Sequence, residues 1–140
     1  MPYDSAVPTA RFLAILPLIL FSLACNRNQQ GVICAPLSTV TLVRVSQNGS
    51  SKPRQSVIAD RYHIQALVHF ANGRRHGFSA RRTGIPVATT SATFYNGARS
   101  LLTFSSGANF FSLRCSGYAG VEEANRVQIA EFQRLVAAQP

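Results

Sequence analysis

The chain has 140 residues, of which 46% are hydrophobic and 14% charged, and its 14 basic and 5 acidic residues leave a formal net charge of +9. That length allows one domain, and the balance excludes a wholly disordered chain, which needs low hydrophobicity and abundant charge. No run of 18 uninterrupted apolar residues occurs, which excludes a multi-span helical membrane protein. Thirteen of the 14 basic residues are arginine and Lys52 is the single lysine. Such a surface attracts phosphates, anionic lipid headgroups, nucleic acid or an acidic protein, because like charges summed over a surface concentrate their counter-charges. The base composition of a GC-rich genome would produce the same arginine bias without any function.

In chain order, residues 12–24 (FLAILPLILFSLA) form a nearly unbroken apolar run of 13 residues, followed by an abruptly polar stretch from Asn26. At ~1.5 Å per residue the run reaches about 20 Å, short of the ~30 Å hydrocarbon thickness, so it reads as the hydrophobic segment of a secretory signal peptide. Ser22-Leu23-Ala24-Cys25 closes it. This ending resembles the lipobox of bacterial lipoproteins, with the leucine two residues before the cysteine where that family usually has it three before. The resemblance implies cleavage before Cys25, diacylation of that residue and a lipid-anchored protein facing the periplasm. Ser22 and Ala24 also satisfy the small-x-small rule of ordinary signal peptidase, which would release a soluble secreted or periplasmic protein from the same point. The expected organisation is a signal peptide over 1–24, a tether and lead-in over 25–36, and one domain over 37–140.

The chain contains three cysteines, Cys25, Cys34 and Cys115. With Cys25 acylated, an even pair remains in an oxidising compartment, and Cys34 with Cys115 is expected to close a disulfide. The cysteines lack the spacing of a redox pair or a zinc site.

The β-branched stretch 39–46 (TVTLVRVS) alternates in period two and predicts a strand; 47–55 (QNGSSKPRQ) has the chemistry of a turn. Ile64, Leu67, Val68 and Ala71 then recur at helical spacing, with Asp60 as the cap and Asn72-Gly73 as the stop. Residues 87–95 and 99–105 flank Asn96-Gly97, a strong hairpin signal, and 110–115 (FFSLRC) predicts a third strand of a meander. Residues 121–138 read as a closing helix with Ile129, Phe132, Leu135 and Val136 inward, Glu122 and Glu123 near its positive end and a Glu122–Arg126 pair. The fold class expected is α+β: about four mostly antiparallel strands with two amphipathic helices packed on one face.

The most conspicuous chemistry lies in residues 72–84 (NGRRHGFSARRTG), where Arg74, Arg75, His76, Arg81 and Arg82 fall within nine residues around Phe78. Guanidinium forks grip phosphate or carboxylate oxygens in pairs, so these five residues are the expected anion-binding site. On that reading, exchanging the four arginines for glutamine leaves folding nearly intact. The bland alternative is a solvated loop with Phe78 turned into the core.

His63 and His69 stand about 240° apart on the expected helix, too far round to clasp one metal ion. The sequence contains no GxSxG, HExxH or phosphate-loop pattern. The expected function is therefore a non-catalytic envelope lipoprotein, without cofactor or metal, that contacts the membrane through Cys25. Its basic surface would take an anionic envelope component or an acidic protein. One alternative is a soluble secreted module that binds nucleic acid or another polyanion through residues 74–82. A second is a small hydrolytic enzyme that uses His76 with the neighbouring arginines.

Overall fold

A computed structural model of the chain describes residues 34–49, 52–81 and 83–137. The signal segment, Cys25, Arg82 and the last three residues lie outside the described residues. The elements are a 3₁₀ turn (Leu37–Thr39), β1 (Leu42–Gln47), β2 (Arg54–Ile58), α1 (Arg61–Asn72), β3 (Ser79–Ala80), β4 (Thr90–Asn96), β5 (Arg99–Ser106), β6 (Phe110–Cys115), β7 (Tyr118–Glu123) and α2 (Arg126–Ala137). The strands form one antiparallel sheet in the order β2-β1-β4-β5-β6-β7-β3. The α+β class holds; among the described residues there are two helices, and the sheet has seven strands where about four were expected.

The three additional strands share a physical reason. β2 starts at the end of the Lys-Pro turn and has only Val57 and Ile58 as apolar residues, so its existence rests on pairing with β1 rather than on its own pattern. β3 is two residues long and pairs with β7. β7 was hidden by Glu122 and Glu123, whose carboxylates read as helix-start residues. Both instead lie on a strand, reached through a tight turn in which Gly117 takes φ 73°. The closing helix consequently begins at Arg126, not Val121. Asn125 caps it reciprocally: its side chain accepts from the Gln128 backbone N–H, and Gln128 accepts from the Asn125 N–H, each at 3.0 Å.

Other expectations hold with shifted boundaries. The first strand starts at Leu42 because residues 37–39 turn, and β4 starts at Thr90 rather than Val87. Asp60 caps α1 by accepting from the His63 backbone N–H at 3.0 Å. In the β4–β5 turn only Gly97 uses positive φ, at 57°.

Alternate residues of each strand face the helices. Val43, Val45, Ala92, Phe94, Leu102, Phe104, Phe111 and Leu113 are all buried there. α1 supplies Ile64, Leu67, Phe70 and Ala71, and α2 supplies Ile129, Phe132 and Val136. Phe70, Phe104, Phe111 and Phe132 touch one another with ring centroids 5.1 to 6.0 Å apart, within the range of favourable aromatic contact. Phe78 joins them against Phe104 at 5.8 Å, so it is a core residue.

Cys34 and Cys115 form a disulfide with Cα atoms 5.6 Å apart, as cysteine parity predicted. Cys34 and Ala35 also pack against the core. The segment expected as a lead-in is therefore structured from its last residues.

Two connections define the faces. Between β2 at one edge and β3 at the other, α1 passes over the helix face. The return from β3 to β4 must cross the intervening strands, about four spacings of ~4.8 Å, and it does so over the other face, where Ile85, Pro86, Val87 and Ala88 lie against residues of β4, β5 and β6. The Arg81 N–H anchors this strap to the Ala119 carbonyl at 2.9 Å, and the Thr89 N–H anchors it to the Ser106 carbonyl at 2.9 Å.

Candidate binding surface

The arginine-rich segment follows α1 because Gly73 ends the helix with its N–H bonded to the His69 carbonyl. Its first two arginines turn inward. The Arg74 guanidinium carbon lies 4.8 Å from the Phe70 ring centroid and 5.1 Å from that of Phe111, and Nη1 is 3.7 Å from Glu122 Oε1. Arg75 Nη2 donates to the Ala35 carbonyl at 2.8 Å, so this side chain tethers the start of the domain. Burial lowers its pKa from the ordinary arginine value.

Glu122 fills the space beneath Gly77, where a Cβ would meet its carboxyl at 2.7 Å. Burial pushes the Glu122 carboxyl up from 4.5, and Arg74 opposes that only in part. The expected Glu122–Arg126 pair is thus replaced by one between β7 and the end of α1.

The rest of the segment points elsewhere. His76 and Arg81 are exposed, and His76 makes no hydrogen bond among the described residues. Of the five residues expected to bind anions together, two are occupied by contacts inside the domain, two are at the surface, and Arg82 lies outside the described residues. His63 meets Asp60 rather than His69, with Nδ1 2.8 Å from the carboxylate. Among the described residues no group of three His, Cys, Asp or Glu could hold a metal ion, and no helix is long and apolar enough to cross a membrane.

The sheet face away from the helices presents a second basic surface. Register places Ser46, Ser91, Ser105 and Ser112 directly opposite one another across β1, β4, β5 and β6. The adjacent row on the same face is Arg44, Thr93, Thr103 and Arg114, with the Thr93 and Thr103 hydroxyls 3.1 Å apart. Arg44 lies 5.1 Å from the Tyr95 ring centroid, and both arginines of the row are exposed.

Sequence reasoning missed this surface. Its only signal was the hydroxyl residues at period two within β4 and β5, which seen alone are the ordinary polar side of half-buried strands.

Comparison with protein-family models, with curated proteins and with solved structures finds no match for this chain.

Proposed function

We propose that this protein is a small cell-envelope lipoprotein, a non-catalytic binding domain tethered through a lipid on Cys25, and that it holds an anionic envelope component on its open sheet face. The observation that supports this reading is the row Arg44-Thr93-Thr103-Arg114, two exposed cations flanking paired hydroxyls on a face that the helices leave uncovered. Guanidinium and hydroxyl groups together are donors for carboxylate and phosphate oxygens. The Cys34–Cys115 disulfide is consistent with an oxidising compartment.

Two measurements test the proposal. Metabolic labelling with a fatty-acid analogue should mark the wild type and spare Cys25→Ser; label that persists in the variant overturns the anchor. Binding to polygalacturonate at ~0.1 M salt, where the screening length is about 10 Å, should weaken at least fivefold in Arg44→Gln/Arg114→Gln. The control Arg61→Gln/Arg134→Gln, which removes equal charge from the helices, should lose less. Equal losses would reduce the surface to net charge alone, and tighter binding to duplex DNA at matched charge would replace the envelope reading with a nucleic-acid one.

A further inference from the structure

Between the serine row and the strap over residues 84–88 lies an open cleft of about 380 Å³, with Ser91, Ser105 and Ser112 on its floor, Arg114 at its side and Pro86 and Val87 in its wall. We propose that this cleft binds a single sugar unit carrying an oxyanion, either a carboxylate or a phosphate. The inference rests on the anion-binding reading above and goes further by naming the ligand class and the pocket.

Ser105 stands at the centre of the floor: it is 94% buried and lines the cleft. A hydroxyl in such a cleft can both donate to and accept from a polar ligand. Ser91 and Ser112 flank it on neighbouring strands and also line the cleft. The three hydroxyls therefore repeat at about the 4.8 Å strand spacing, similar to the separation of alternate hydroxyls on a pyranose ring.

The strap supplies what a flat sheet lacks. Its two ends are pinned by backbone hydrogen bonds to β7 and β5. Val87 projects almost fully into solvent, 89% exposed, where an apolar side chain can lie against the C–H face of a sugar. Among the described residues no carboxylate lines the cleft and Arg114 does, so a sugar with a negative substituent is favoured over a neutral one. The volume lies within the range of small-molecule sites, roughly 300 to 1,000 Å³.

The test is a titration of the purified protein with galacturonate, glucose 6-phosphate, galactose and inorganic phosphate, followed by amide resonances and calorimetry. Galacturonate or glucose 6-phosphate should shift the resonances of Ser91, Ser105 and Ser112 and bind at least tenfold more tightly than galactose or inorganic phosphate; whichever of the two binds identifies the oxyanion. Arg114→Gln and Ser105→Ala should each lose tenfold, with Ser112→Ala as a second floor variant should Ser105→Ala fold poorly, while Arg134→Gln binds as the wild type. Equal affinity for galactose overturns the oxyanion, and equal affinity for inorganic phosphate overturns the sugar. If neither sugar anion binds while polygalacturonate binding by the open face persists, the cleft assignment is overturned and the anionic-partner reading stands. Loss of both overturns both.

Discussion

At the scale of single residues, charge that looked available for ligands is partly spent on the fold. Arg75 binds the Ala35 carbonyl, so Arg75→Leu should destabilise the domain by about 1–3 kcal/mol, the range for leaving a partly buried polar group unpaired. Arg74→Gln strips Glu122 of its cation and should also lower the midpoint in urea denaturation, whereas the exposed Arg81→Gln should change stability by less than ~0.5 kcal/mol. Glutamine exchange is thus not uniformly harmless in this segment.

Two carboxylates should leave opposite marks on stability against pH. Asp60 is held below its ordinary 3.8, first by the His63 backbone N–H and then by the His63 ring. Its contribution is present above that value and lost as pH falls through the folded pKa. Glu122 is raised above 4.5 by burial, so the folded state holds the extra proton and stability declines as pH rises from there through the folded pKa. Glu122→Gln should remove that decline and leave the acid limb intact; an unchanged slope in thermal melts between pH 4.5 and neutrality would contradict it.

At the scale of elements, the helices and the β4–β5 hairpin were legible because their causes lie within a few residues. Asp60, the Ile64-Leu67-Ala71 stripe and Gly73 specify α1 locally, and Asn96-Gly97 specifies a turn. β7 was not, because Glu122 makes sense on a strand only when Arg74 lies across from it. The same region offers a check on packing: Gly77→Ala places a Cβ against the Glu122 carboxyl, which can swing aside at the expense of its contact with Arg74, so the cost should stay at or below about 1 kcal/mol. A loss well above that in thermal melts would mean that the Glu122 side chain is held in place.

At the scale of the whole molecule, the disulfide links the entrance of the domain to the end of β6 across 81 positions. Constraint of so long a loop in the unfolded chain stabilises by about 2–5 kcal/mol in the entropic account. Reduction, or the double change Cys34→Ala/Cys115→Ala, should lower stability by that amount, and the helical circular dichroism of the folded domain should persist. A loss well under 1 kcal/mol would show that the core carries the entrance without the bridge.

The sequence by itself determined the α+β class, both helices with their buried stripes, the central hairpin and, with Cys25 set aside as the expected lipid site, the disulfide pairing. Each of these follows from short-range periodicity, turn chemistry or simple counting. Only the tertiary structure decided that β2, β3 and β7 are strands, that Arg74 and Arg75 face inward, and that four serines from four strands form one row, three of them beneath a strap. Those outcomes depend on register and on which edge the chain returns to. The residues involved are far apart in sequence, and their side chains acquire partners only when the sheet has closed its order.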